Sequence, residues 1–326
     1  MRIEFCSNFH RFPAALAPLG DRGQAGYRVL DLVAKGVAEL GHDVTYCLPR
    51  GLLGPLPRGV THTTSMSYDA DVFHYQNGNL EDEVTDTDGI PWVRTCHTDL
   101  QVRNVSRSVA KPNWVYVSRT LAETYGSTRY VLNGVDPEEL MYSATKEDYV
   151  VFMCDLRRAI NKGFDVALDL CRELDFRLVV AGGSVDAADV ERLRETSAGA
   201  NVEFRGEVWG SEKAELLAGA RALLFPTRIN EAFGLVIAEA LMSGTPVITS
   251  NLGACPELVS DDVGFVCGSM DDYRRAFEAL GSIDPQRCRE KAMHEYHYLR
   301  MAGEYVREYE SEIARCGQTS SITTTA

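Results

Sequence analysis

The first half of the chain alternates short apolar runs with polar or amphipathic stretches. Apolar residues recur on one face of a 3.6-residue period from Tyr27 to Leu40, which predicts a helix. Gly41 ends that helix, and the apolar runs around it are short enough to be buried strands. We predict these strands at 2–7, 43–48, 71–75, 91–97 and 114–118.

The same alternation starts again after a polar segment, residues 138–148, that we interpret as a linker. Strands separated by helices indicate parallel sheets with right-handed crossovers. The chain is therefore predicted to be an α/β protein with Rossmann-like domains at residues 1–140 and 149–295. The second domain has predicted strands at 149–154, 177–181, 201–206, 222–225, 245–250 and 264–266, and helices at 162–173, 186–196 and 211–220. Residues 287–315 are predicted to form one long amphipathic helix.

The segment between the strands at 222–225 and 245–250 carries the most specific chemistry. Its apolar positions predict a helix that begins near Phe233, Gly234 and Leu235. Free backbone N–H groups and the helix dipole make such a terminus suitable for a phosphate. Two acids bracket the helix, Glu231 before it and Glu239 inside it, and carboxylates accept hydrogen bonds from sugar hydroxyls. On the helical wheel Glu239 falls away from the apolar face, so burial against the core does not explain its presence there. Together these features suggest a nucleotide-sugar site.

The sequence E-A-F-G-L-V-I-A-E from Glu231 to Glu239 resembles the E-x7-E motif of retaining glycosyltransferases with the GT-B fold. The following S-G-T-P-V-I resembles the usual continuation of that motif in family 4 of these enzymes. The resemblance implies two Rossmann-like domains facing an interdomain cleft, with a C-terminal helix at 296–316 that packs back on the N-terminal domain. It also implies that Glu231 positions the donor sugar and that Glu239 binds the ribose.

The N-terminal half resembles the same family in two places. Members carry a glycine-rich loop that approaches the donor diphosphate, for which Gly23 is the best match, with Gly20 and Gly26 as alternatives. They also carry a histidine that contacts the donor sugar, at the end of the pattern P-x-V-x-T-x-H. His97 occupies that position. A histidine at a strand end can also be purely structural.

Basic residues of the family motif G-R-L-x-x-x-K-G neutralise the donor diphosphate, and the matching stretch here is D-L-R-R-A-I-N-K-G. Lys162 is in place, but the arginine is displaced when the leucine is aligned on Leu156. Either Arg157 or Arg158 must then supply the guanidinium. The resemblance further implies that the nucleotide base contacts the backbone at Gly206 and Val208.

Composition narrows the class of protein. The net charge of -14 argues against nucleic-acid binding, because phosphates would be repelled. No apolar run is long enough to span a membrane, and nine cysteines without a C-x-x-C pair favour a reducing, cytoplasmic location.

Asp69-Ala70-Asp71 matches a D-x-D metal motif in letters but runs into a predicted buried strand. We therefore expect no required metal and no other cofactor.

Taken together, the sequence predicts a retaining glycosyltransferase that uses a nucleotide-diphosphate sugar and a small acceptor, a saccharide or a secondary metabolite. His97, Lys162 and Glu231 are its predicted catalytic residues. Two alternatives remain: a GT-B enzyme with other chemistry, such as an epimerase or a phosphorylase, and an inactive sugar-nucleotide binding protein.

Overall fold

The computed structural model describes residues 1–6, 25–48, 56–76, 89–98, 112–183 and 186–323. The chain divides into two compact units. The first unit comprises Met1–Gly134 together with Tyr298–Ala326, and the second comprises Val135–His297. The division thus falls before the predicted boundary at residue 140, and the polar segment 138–148 belongs to the second unit.

The first unit is built on a parallel six-stranded sheet whose strand order is β3-β2-β1-β4-β5-β6. Its inner strands consist mostly of buried apolar residues, as expected for a parallel sheet that helices cover on both faces. Its elements are β1 (Arg2–Cys6), α1 (Ala25–Glu39), β2 (Asp43–Cys47), β3 (Val60–Thr63), β4 (Val72–Gln76), β5 (Trp92–Cys96), β6 (Trp114–Tyr116) and α2 (Arg119–Thr124).

The second unit repeats this topology with strand order β12-β11-β10-β7-β8-β9. Strands β8, β10 and β11 have the sequences LVVA, ALLF and VITS and are buried along their whole length. Its elements are β7 (Val150–Met153), α3 (Phe164–Leu174), β8 (Leu178–Ala181), α4 (Ala187–Thr196), β9 (Val202–Gly206), α5 (Gly210–Gly219), β10 (Ala222–Phe225), α6 (Leu235–Met242), β11 (Val247–Ser250), α7 (Cys255–Leu258), β12 (Gly264–Cys267), α8 (Met270–Ala279) and α9 (Pro285–Glu295).

The C-terminal helix α10 (Tyr298–Thr323) belongs to the first unit and packs against α1. Gly36 permits the close approach of the two helices, because a Cβ there would lie 2.6 Å from the Cβ of Ala302. Met301, Tyr305 and Tyr309 on the inner face of α10 are fully buried. These three residues, spaced four apart, form the apolar face that the sequence predicts for this helix.

His74 on β4 attaches α10 to the sheet. Its Nδ1 lies 2.6 Å from the hydroxyl of Tyr309, and its Nε2 lies 2.8 Å from Oγ1 of Thr95. Thr95 in turn lies 2.7 Å from the hydroxyl of Tyr305. Burial lowers the pKa of His74 to about 3, so the ring is neutral at pH 7. The histidine is thus a buried structural group.

Several elements differ from the sequence prediction, which includes neither α7 nor α8. The long helix predicted at 287–315 is two helices, α9 and α10, which are interrupted at Tyr296 and His297. Strand β3 was not predicted, because its sequence VTHT lies at the sheet edge and is mostly exposed, so it lacks an apolar run. No helix within the described ranges has the length and apolarity needed to cross a bilayer.

Candidate functional site

The candidate site of the second unit lies where the strand order of its sheet reverses. Strands β7 and β10 are neighbours in the sheet, although they are far apart in the chain, and both run in the same direction. In open parallel α/β sheets, ligands bind outside the carboxyl ends of the strands at such a switch point. Lys162 follows β7 and Glu231 follows β10, so the two best-supported site residues leave the sheet side by side.

The loop after β7 is locked against the loop after β10. Gly163 has φ 80°, a left-handed conformation, and a Cβ there would overlap the carbonyl group of Pro226. The backbone N–H of Arg228 donates to the carbonyl of Asn161 at 2.9 Å. The Lys-Gly pair of the sequence motif therefore has a steric cause, since the position after Lys162 must be a glycine.

Lys162 and Glu231 form an ion pair between Nζ and Oε2. Their side chains are only 11% and 15% exposed. The ammonium group also lies 5.2 Å from the ring centroid of Phe225, the last residue of β10. Because an ammonium group has three donors, Lys162 retains donors for a second anion beside the carboxylate.

The backbone of Glu231 is held by the segment that follows β11. The N–H of Ala254 donates to the carbonyl of Glu231 at 2.8 Å. A Cβ on Gly253, whose φ is 59°, would overlap the backbone of Glu231. Glu231 is therefore placed by three neighbouring strands of the sheet, β7, β10 and β11, and its position does not depend on its own loop alone.

Helix α6 begins at Leu235, so the predicted helix start at Phe233 is two residues too early. Gly234 is the N-cap residue with φ 86°, and no side chain caps the helix. Phe233 is buried, and its ring packs edge-on against Tyr296 with centroids 6.1 Å apart. The Phe233 side chain thus belongs to the core. The predicted phosphate site at this helix start can therefore consist only of the backbone N–H groups in the first turn of α6.

Glu239 lies off the apolar face of α6, and it is nevertheless largely withdrawn from water. Its side chain is only 12% exposed, because α5 packs beside α6, and its Oε1 accepts a hydrogen bond from Nζ of Lys213 at 2.6 Å. Sequence reasoning missed Lys213. No spacing within a short motif links a residue on α5 to one on α6, so only the packing of the two helices shows the pair.

The two candidate arginines have different surroundings. Arg157 binds the carboxylate of Asp155 with both Nε and a terminal nitrogen, at 3.0 and 2.7 Å. Partial burial works against ionisation of Asp155, but the hydrogen bonds from Arg157 outweigh it and lower the pKa of that carboxyl. Arg158 is exposed and forms no ion pair with any residue in the described parts of the chain. Its guanidinium is thus the one available to a ligand.

The loop after β9 presents backbone beside the same edge of the sheet. Gly206 has φ 71°, and its carbonyl accepts a hydrogen bond from the N–H of Gly182 at 2.7 Å. Val208 as a whole residue is 6% exposed. Because Gly206 has no side chain, any contact of a ligand with that position falls on the backbone.

The first unit contains two of the predicted site residues, His97 and Gly23. His97 directly follows β5, at the carboxyl end of that strand, and is partly buried. Burial lowers the pKa of its imidazole to about 4, so the ring is neutral at pH 7. Gly23 lies outside the described residues.

Residues 141–295 match the family model described as glycosyl transferases group 1. This part of the chain is a group 1 domain. It comprises nearly all of the second unit and contains Lys162, Lys213, Glu231 and Glu239.

Among curated proteins, the chain is similar to the D-rhamnosyltransferase WbpZ of Pseudomonas aeruginosa. The two are 28% identical over 164 residues, which cover 47% of this chain and 42% of that protein. The match therefore spans less than half of the relative.

Solved structures resemble the chain over nearly its whole length. AviGT4, a glycosyltransferase involved in avilamycin A biosynthesis, has a TM-score of 0.77 at 23% identity and covers 96% of this chain and 98% of its own. Anabaena Alr3699/HepE, solved in complex with UDP-glucose, has a TM-score of 0.70 at 16% identity, with coverages of 95% and 100%. These likenesses confirm the predicted GT-B fold with its two parallel α/β sheets.

The close approach at Gly163 predicts an unequal cost for two glycine substitutions. Gly199 has nearly the same backbone, φ 79°, but a Cβ there meets nothing within 4 Å. We expect Gly199→Ala to lower the free energy of unfolding by about 1–2 kcal/mol, the cost of a left-handed alanine. Gly163→Ala should cost a further ~1–3 kcal/mol, because Pro226 or Lys162 must move. Urea unfolding of both variants measures the difference, and equal costs would show that the approach is not tight.

Proposed function

We propose that the protein is a retaining glycosyltransferase that moves a sugar from a nucleotide-diphosphate donor to a small acceptor, a saccharide or a secondary metabolite. The group 1 domain, the E-x7-E pattern and the D-rhamnosyltransferase relative support the class. The UDP-glucose complex of a protein with the same fold supports a nucleotide-sugar donor.

The observation that carries the proposal is the ion pair of Lys162 with Glu231 at the switch point between β7 and β10. One partner suits a phosphate and the other suits sugar hydroxyls. A nucleotide-diphosphate sugar carries both groups, a phosphate on the anomeric carbon and hydroxyls on the neighbouring ring carbons, so this donor satisfies the two partners at once.

Charge stabilisation follows from the groups around that pair. As the sugar leaves, negative charge grows on the diphosphate, and groups already aimed at it lower the barrier. Lys162 and Arg158 supply positive charge, and the first turn of α6 supplies N–H groups and the positive end of its dipole. Glu231 then holds the sugar, Glu239 holds the ribose, and the backbone at Gly206 and Val208 meets the base.

The chemistry needs no protein nucleophile. The bond from the anomeric carbon to the phosphate oxygen breaks, and a bond from the same carbon to the acceptor oxygen forms on the same face of the sugar. The leaving phosphate oxygen takes the proton of the acceptor hydroxyl, so the anomeric configuration is retained. The role of the neutral His97 as a contact of the donor sugar stays a prediction, and so does that of Gly23.

The cations at the site lead us to propose that catalysis requires no divalent metal. Because Lys162 and Arg158 offer positive charge to the diphosphate, the rate of transfer should not change when EDTA is added in excess over trace metal. The measurement is transfer with and without chelator. Loss of activity in EDTA, restored by Mn²⁺ or Mg²⁺, would show that an ion neutralises the leaving group.

The different surroundings of the arginines predict different kinetics. Arg158→Ala and Lys162→Ala should each lower kcat/KM by more than about tenfold, or ~1.4 kcal/mol of transition-state stabilisation. Arg157→Ala should change it by less than about threefold, because that guanidinium is engaged by Asp155. The nucleotide part of the donor is first identified by thermal shift with UDP, GDP, ADP and dTDP. Release of the nucleoside diphosphate is then followed with acceptor present.

The control for these assays is the donor without acceptor. Conversion of the sugar in that reaction would indicate an epimerase instead of a transferase. Equal kcat/KM values for Arg157→Ala and Arg158→Ala would contradict the assignment of Arg158 to the diphosphate.

A further inference from the structure

The pair of Lys213 with Glu239 has no evident structural purpose. Both side chains are largely withdrawn from water, with exposed fractions of 24% and 12%. Removing two opposite charges from water costs desolvation energy that their attraction offsets only in part, so such a pair is weak evidence of stabilisation. The geometry of the pair, however, is specific. Lys213 binds Oε1 of Glu239 at 2.6 Å, and no residue of the described ranges donates to Oε2.

This arrangement leaves one carboxylate oxygen fixed and the other able to accept from a ligand. Lys213 lies on the first turns of α5, which follows β9 and the segment that carries Gly206 and Val208. Glu239 lies in the middle of α6, which follows the segment that carries Glu231. The lysine thus links α5, which follows the segment proposed to contact the base, to α6, whose first turn is proposed to bind the phosphate. Its partner Glu239 is the residue proposed to bind the ribose, which lies between base and phosphate in a nucleotide.

Lys213 also reduces the electrostatic repulsion between Glu239 and an anionic ligand. A nucleotide diphosphate is an anion, and an uncompensated carboxylate beside its ribose would repel it, the more strongly where water is excluded. An ammonium group at 2.6 Å neutralises that charge while leaving the oxygen atoms able to accept hydrogen bonds. The carboxylate can then recognise hydroxyl groups without opposing the phosphates.

We propose that Lys213 is a positioning residue that holds Glu239 to accept hydrogen bonds from the vicinal hydroxyls of a ribose, and so selects ribonucleotide over 2′-deoxyribonucleotide donors. The inference rests on the proposed function. A 2′-deoxyribose offers one hydroxyl where a ribose offers two, and a site built to bind a hydroxyl group rejects the analogue that lacks it. Without Lys213, Glu239 can rotate towards solvent, and the discrimination should be lost.

The experiment compares affinities for UDP, GDP and ADP with those for their 2′-deoxy forms by calorimetric titration. For the nucleotide that binds, wild-type protein should favour the ribose form by at least about tenfold, the scale of one hydrogen bond to a charged group. Lys213→Met should reduce this ratio to below about threefold, and Lys213→Arg, which keeps the charge, should restore part of it. A purely structural lysine would lower both affinities equally and leave the ratio unchanged.

A matched control is Lys291→Met. Lys291 pairs with Glu295 at 2.8 Å in the same unit, with a side chain that is 13% exposed, and it lies outside the site. Its variant should keep the wild-type ratio. If Lys213→Met fails to fold by circular dichroism, Lys213→Gln, which keeps a polar end group, provides the same comparison.

The outcomes separate the two proposals. A wild-type protein that binds a nucleoside diphosphate, together with an unchanged ratio in Lys213→Met, overturns the role of Lys213 and leaves the proposed function standing. A wild-type protein that binds the 2′-deoxy form equally well, or that binds dTDP, itself a 2′-deoxyribonucleotide, more tightly than UDP, GDP and ADP, overturns the selection for ribose. If no nucleoside diphosphate binds wild-type protein, the proposed function fails, and the inference fails with it.

Discussion

The site of the second unit depends on one close backbone approach, that of Gly163 to the carbonyl of Pro226. It fixes the separation of the loops after β7 and β10, which are the loops on either side of the switch point. Because Lys162 and Glu231 extend from these two loops, the approach also fixes their ion pair. The second close approach, of Gly253 to the backbone of Glu231, adds the loop after β11 to the same assembly. A functional pair keeps its geometry when the surrounding structure supports it, and these backbone contacts provide that support.

A balance of charge follows from that geometry. The chain as a whole is acidic, with a net charge of -14, yet the proposed ligand is an anion. Each carboxylate of the E-x7-E pattern is compensated by its own lysine, Glu231 by Lys162 and Glu239 by Lys213. The exposed guanidinium of Arg158 and the first turn of α6 are then left as an excess of positive charge. The acids can therefore contribute hydroxyl recognition without repelling the phosphates, which explains how both kinds of residue occur in one site.

The sequence predicted those features that repeat along the chain or lie within one short motif. Buried parallel strands such as ALLF were found because both of their faces are apolar. Lys162, Glu231 and Glu239 could be proposed as site residues because their motifs are contiguous. Strand β3 was missed because an exposed edge strand has no apolar run. Lys213 was missed because its partner is on another helix, and the choice between Arg157 and Arg158 needed the position of Asp155. The tail was predicted as one helix, because periodicity alone does not show the interruption at Tyr296 and His297.

The central claim is that the loops after β7 and β9 and the segment from Glu231 to Glu239 together form a nucleotide-diphosphate site. Hydrogen–deuterium exchange tests it directly, with and without whichever of UDP, GDP, ADP and dTDP stabilises the protein against heat. Bound nucleotide should slow exchange in residues 155–163, 206–213 and 231–239, while the exposed turn at Gly199 in the same unit remains unchanged. Binding that protects other segments and leaves these three at their free exchange rates would contradict the account.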